Sequence, residues 1–213
     1  MELAGKVVLI TGASRGIGRA VAAVLVARGA TVAAAATTTD GLADLGAAST
    51  HACDLADPAN ALALADAVEA EHGHVDVLVN NAAIRLDQLV THVELDTLDR
   101  SFQVNALSPY VLAGRLAAGM AARGEGVVVN LVAPMVSPGR RGMGPYASSK
   151  AALESLTNTL RQEVGGKGVA VFGFDPGWVR TDLAPDGKEE AGPVAERLVA
   201  HIEAAKGSKT PLS

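Results

Sequence analysis

The sequence predicts an α/β protein: a doubly wound parallel sheet with helices on both faces, three layers in the order α/β/α. Three observations predict it. Short apolar runs alternate with longer helical patterns along the whole chain, as βαβ units with right-handed crossovers do. Most runs are continuously apolar, as strands are when both faces of a sheet are covered. A glycine-rich turn then joins the first run to the first helical pattern.

Strands are predicted over 6–11, 31–36, 49–53, 76–80, 126–132 and 169–175. Helices are predicted over 16–28, 58–72, 102–123 and 145–164. In the first helix, Ile17, Ala20, Val21, Val24 and Leu25 recur at the spacing that faces one side. After Asp175-Pro176-Gly177 one more helical pattern follows, over 193–205, and its Pro193 suits a first turn. The tail 206–213 carries polar and turn residues and predicts no strand. No repeat, low-complexity tract or linker interrupts the chain, so 1–213 reads as one domain.

Composition narrows the function. The chain is 49% hydrophobic but only 3% aromatic, so its core is aliphatic. A net charge of −5 argues against binding to a phosphate backbone, and no nucleic-acid partner is expected. The single cysteine, Cys53, excludes intrachain disulfides, reads as a small buried hydrophobe, and points to a cytoplasmic protein. The most membrane-like stretch, 17–36, is broken by Arg19, Arg28 and Gly29, so no membrane span is expected. His51, His72, His74, His92 and His201 show no zinc-like spacing, and no metal is predicted.

The first strand runs into Thr11-Gly12-Ala13-Ser14-Arg15-Gly16-Ile17-Gly18, which opens the first helix. Glycines here let the backbone approach a pyrophosphate, and the helix N-terminus offers free N–H groups to it. Asp54-Leu55, Asn80-Asn81-Ala82-Ala83, Asn105, Tyr146-x-x-x-Lys150 and Pro176-Gly177 follow in order. Together these motifs resemble the short-chain dehydrogenases/reductases, a family of Rossmann-fold NAD(P)-dependent oxidoreductases. The resemblance implies that Gly12, Ser14, Arg15, Gly16, Ile17 and Gly18 hold the pyrophosphate end of the cofactor. It places Asp54 at the adenine amino group, Leu55 beside the ring, and Asn81 and Ala82 at the adenosine ribose. Asn80 would stabilise the central strand. Pro176, Gly177, Val179 and Thr181 would frame the nicotinamide.

NAD-preferring dinucleotide folds carry a carboxylate after the second strand for the ribose 2′-OH. Here that place reads Ala35-Ala36-Thr37-Thr38. With Arg15 beside Gly16 and a hydroxyl on Thr37, NADP(H) is expected over NAD(H).

Tyr146 and Lys150 stand four residues apart near a helix start and share one face. By resemblance Tyr146 exchanges a proton with the substrate oxygen, aided by the Lys150 ammonium, which lowers the phenol pKa and holds the nicotinamide ribose. Asn105 would anchor a water leading from Lys150. The family also carries a serine thirteen residues before the tyrosine, where this chain has Ala133. Losing such a donor costs about 10²–10³ in rate. Several explanations stand side by side: the substrate supplies the contact, Ser137 swings in, the protein keeps a cofactor pocket without redox chemistry, or Ala133 is an introduced substitution.

The substrate pocket is expected from 84–89, 133–144 and 178–193, poorly lidded and open to a bulky small molecule. Arg140 and Arg141 read as a solvated loop. By resemblance, a seventh strand is missing beside the sixth, and the helices holding Asn105 and Tyr146 form a homodimer interface.

Overall fold

In the computed structural model, which describes residues 1–134 and 138–207, six parallel strands form one sheet in the order β3-β2-β1-β4-β5-β6. These are β1 Val7–Thr11, β2 Thr31–Ala36, β3 Ser49–Ala52, β4 Val77–Asn80, β5 Gly126–Leu131 and β6 Val169–Phe174. The helices are α1 Gly16–Ala27, α2 Pro58–His72, α3 Leu95–Phe102, α4 Ser108–Arg123, α5 Gly144–Val164 and α6 Ala191–Ala204.

The continuous apolar runs are explained by two cores. In β1, Val8 and Ile10 face the side covered by α1 and α6, whereas Val7 and Leu9 face the side of α2, α4 and α5. The same division recurs in β6, where Phe172 and Phe174 meet the first core and Val169 and Val171 the second. The small alanines of β2 let the layers approach closely. Among the described helices none is long and apolar enough to cross a membrane.

One boundary differs from the sequence pattern. The helix expected from 102 begins at Leu95, and its 3.6-residue period is broken by a π turn over Gln103–Leu107 before α4 continues. The extra residue in that turn hides the phase relation between the two halves. Elsewhere capping chemistry sets the ends: the Asp57 carboxylate accepts from Ala59 N at 2.9 Å with Pro58 in the first turn, and Gly124 closes α4 at φ +78. At the sheet's end, β6 is an edge strand, and Gly207 lies against the Gly168 backbone where β6 begins. The tail from 208 onward lies outside the described residues.

At the opposite edge, the Ser49 hydroxyl of β3 bridges His51 Nε2 at 2.9 Å and His72 Nε2 at 2.8 Å. Burial holds the His51 pKa below its ordinary 6.5, the nearby His72 lowers it further, and Glu71 opposes both. A histidine depressed on folding contributes stability above pH 6.5 that is lost as pH falls through its folded pKa. Chemical denaturation between pH 7.5 and 5 should therefore show falling stability, and His51→Gln should flatten that fall.

Candidate nucleotide cleft and catalytic cluster

The strand order reverses between β1 and β4, so the crossovers leave in opposite directions and open a crevice at the strands' carboxyl ends. A cleft of about 330 Å³ lies there. Its walls contain every predicted catalytic and cofactor-binding residue except Asn105, Gly177 and Val179. Gly177 and Val179 line a smaller adjoining cavity of about 70 Å³, which Tyr146 borders as well.

The loop that forms the floor is held from below. Thr11 Oγ1 accepts from Asn81 N at 3.2 Å and Ala82 N at 3.1 Å, while Asn81 Nδ2 donates to Thr11 O at 2.9 Å and Gly12 O at 3.1 Å. The Asn81 amide nitrogen thus braces the loop, while the residue lines the cleft. Glycine is required by space: a Cβ on Gly18 would stand 2.2 Å from Gly12 O, and one on Gly12 2.8 Å from Ala82 Cα. No side chain caps the N-terminus of α1 and no acidic residue sits in its first turn. That donor set, facing a cleft of this size, fits a pyrophosphate.

At the end of the cleft predicted for adenosine, Thr37 and Ala36 line the wall beside Asp54 and Leu55. Asp54 Oδ1 also accepts from Ala56 N at 3.0 Å, so the carboxylate caps its own loop. Cys53 is buried, and its thiol is pushed up to about 11, chiefly by burial. Arg15, expected to be free for a phosphate, instead pairs with Asp182 at 3.0 Å. Both side chains are more than 70% exposed, so the pair is weak and open to competition. Sequence reasoning misses Asp182 because only the fold brings it opposite Arg15.

The catalytic candidates meet near the N-terminal end of α5. Lys150 is buried, and its Nζ donates to Leu131 O at 2.8 Å. Burial lowers its pKa from 10.5 to about 8. The phenol of Tyr146 departs from expectation: burial pushes its pKa up to about 12, opposed by Arg85 and reinforced by Asp175. Here the Lys150 ammonium is directed to the β5 carbonyl, and Arg85 is the cation that lowers the phenol pKa.

Asn105 links two elements of the site. It is fully buried in the π turn, where Nδ2 donates to Ile84 O at 2.9 Å and Ser149 Oγ at 3.0 Å while Oδ1 accepts from Ile84 N at 2.9 Å. Its carboxamide clamps the 84 loop to α5. Asn80 behaves as expected, since its Nδ2 donates to Asn130 Oδ1 at 2.9 Å and ties β4 to β5.

Ala133 borders the small cavity with Tyr146, Trp178 and Arg85. Ser137, the substitute donor considered above, lies outside the described residues. The segment expected as an open lid is a compact loop closed on itself by backbone bonds: Arg180 N donates to Glu189 O at 2.8 Å and Lys188 N to Trp178 O at 2.8 Å, around a parallel bridge between Val179 and Glu189. Arg140, expected to be solvated, is exposed but lies 5.2 Å from the Trp178 ring centroid. Among the described residues no cluster has the makings of a metal site.

The family model for short chain dehydrogenases matches residues 6–191. The 3-oxoacyl-[acyl-carrier-protein] reductase FabG of Salmonella typhimurium is 35% identical over 188 residues, covering 86% of this chain and 77% of that protein. The D-threitol dehydrogenase of Mycolicibacterium smegmatis is 33% identical over 190 residues, covering 85% and 73%. Among solved structures, a short-chain dehydrogenase from Streptomyces avermitilis superposes with a TM-score of 0.89 at 30% identity, over 100% of this chain and 89% of that one. A 3-ketoacyl-(acyl-carrier-protein) reductase from Brucella melitensis, complexed with NADH, gives a TM-score of 0.85 at 27% identity, over 93% and 91%.

The Lys150 burial has a measurable cost. Because its folded pKa of about 8 lies below 10.5, the penalty grows as pH falls between those values and is complete below the lower one. It amounts to about 3 kcal/mol at neutral pH. Lys150→Met should raise the melting temperature at pH 7 despite losing the bond to Leu131, and the gain should shrink above pH 10.

Proposed function

Because the chain belongs to the short-chain dehydrogenase family, we propose that it is an NADP(H)-dependent oxidoreductase that reduces a carbonyl, or oxidises the corresponding alcohol. The observation that carries this reading is the placement of Tyr146 on the wall shared by the nucleotide cleft and the small cavity, with Lys150 one turn along α5.

Pro176, which lines both cavities, would hold the nicotinamide ring, and the cofactor would supply or accept the hydride there. Tyr146 gives its phenolic proton to the oxygen of a carbonyl seated in the cavity, or takes it back in the reverse direction. Its raised pKa keeps the phenol protonated at neutral pH, which suits reduction. Lys150 uses one N–H on Leu131 and keeps two for a ribose hydroxyl. Asn105 and Ser149 fix the 84 loop against α5, so the cavity wall and the proton donor keep one spacing. The 3-oxoacyl reductases among the relatives favour the reducing direction.

Preference for NADP(H) over NAD(H) is supported by the Ala36-Thr37 end of β2, which brings no carboxylate to the cleft, and by Arg15, whose exposed pair with Asp182 a 2′-phosphate can displace. The substrate is a small molecule whose reacting end fits about 70 Å³, with any bulk extending through the mouth. We read 1–213 as a single cytoplasmic domain. A homodimer is supported by Leu107 and Tyr110, which expose 44% and 55% of their surface where the π turn meets α4. Ala133 favours a second reading, in which the cofactor is bound for non-redox chemistry (dehydration, cyclisation or epimerisation) or for nucleotide sensing.

Trp178 is the only tryptophan, so its quenching reports occupancy of the site. NADPH should quench it at lower concentration than NADH, and Arg15→Ala should erase most of the difference, about tenfold. NADPH should be consumed with a panel of ketones, and Tyr146→Phe should slow this by about 10²–10⁴. Quenching without consumption by any ketone would favour the second reading.

A further inference from the structure

Ala133 has no hydrogen bond to give a carbonyl oxygen held against Tyr146, yet the cavity they share contains a side chain that does. Arg85 is the one charged residue among its described lining residues. The side chain is held in place on three sides. Its Nε donates to Asp87 Oδ1 at 2.9 Å and its Nη2 to Asp87 Oδ2 at 2.6 Å. Nη1 donates to Leu183 O at 3.3 Å, and the guanidinium carbon lies 5.7 Å from the Trp178 ring centroid. A guanidinium has five N–H bonds. These contacts engage three, leaving one on each terminal nitrogen.

Resting on the carbonyl-reductase reading, we propose that Arg85 is a catalytic residue that donates to the substrate carbonyl oxygen the hydrogen bond that Ala133 cannot. As hydride adds to the carbonyl carbon, the C–O π pair moves onto oxygen, and Tyr146 delivers the proton that completes the alcohol. Arg85 loses no proton, since guanidinium stays charged throughout. It contributes a directed, charge-assisted donor where negative charge develops. Asp87 fixes its orientation, and Leu183 and Trp178 stop it swinging out.

The electrostatics agree. Arg85 acts on the Tyr146 phenol against both burial and the Asp175 carboxylate, while Asp87 and Asp186 act on Arg85 itself. Lys150, one turn further along α5, is directed to Leu131. The competing explanation is mechanical: Arg85 merely staples the 84–89 loop to the compact loop of 178–189. Coupling to position 133 separates the two.

The test is steady-state ketone reduction with NADPH by the native chain, Arg85→Met, Ala133→Ser and the double variant, each checked for an unchanged melting transition. Arg85→Met should lower kcat by about 10²-fold with KM little changed. Ala133→Ser should gain less than about tenfold, and in that background Arg85→Met should cost less than about tenfold, because serine supplies the same bond. Arg85→Lys, which keeps a cationic donor, should recover part of the loss. With the cation gone, the limb of the pH profile set by Tyr146 should move to higher pH. Loss of less than about twofold in Arg85→Met, or equal losses from it in the native and Ala133→Ser backgrounds, would overturn the assignment. Silence in all four chains while NADPH still quenches Trp178 would instead refute the reductase reading on which it rests.

Discussion

The site depends on a knot of four hydrogen bonds between the Thr11-Gly12 end of β1 and the Asn81-Ala82 pair after β4. β1 and β4 are neighbours whose following segments leave on opposite faces of the sheet, so their ends would splay without a cross-link. Thr11 is 2% exposed. Its hydroxyl satisfies two backbone N–H groups of the β4 end, while the Asn81 side chain satisfies two carbonyls of the β1 end. An unpaired N–H or carbonyl in such a place costs about 1–3 kcal/mol. The glycines of the loop then follow as a packing consequence, because Gly12 and Gly18 lie so close to this knot that a side chain has no room.

A second polar framework carries this rigidity to the chemistry. Asn80 meets Asn130 across β4 and β5, and Asn130 Nδ2 donates to Thr157 Oγ1 at 2.8 Å on α5. Two turns from Thr157 towards the start of α5, Lys150 holds the end of β5, and beside it Ser149 meets Asn105 in the π turn. Tyr146, the proposed proton donor, is therefore fixed to the same strands that shape the cleft. Such a framework is costly to bury and Lys150 destabilises it, as expected where function and stability oppose each other.

Much of this was legible in the sequence. The sheet followed from continuous apolar runs, and the cleft from glycine spacing at a strand–helix junction, because both are local signals. What escaped was long-range or phase-breaking. The π turn disguised α3, since a period of 3.6 cannot be followed through an extra residue. Asp182 meets Arg15, and the Leu183 carbonyl meets Arg85, only after the chain returns from the sixth strand, across 167 residues in one case and 98 in the other. Asn105 stands out in the sequence as a candidate site residue, but its bonds to Ile84 and Ser149 depend on that same invisible turn. The compact, internally bonded loop after Pro176 reads as an open one because its Pro and Gly content hides backbone pairing.

Calorimetric titration of NADPH into the native chain and into Thr11→Val tests the central claim most directly. The account predicts saturable binding at one site per native chain, weakened at least about tenfold in the variant, with the far-ultraviolet circular dichroism of both unchanged. Equal affinity in the two chains, or no heat of binding with the native one, would contradict it.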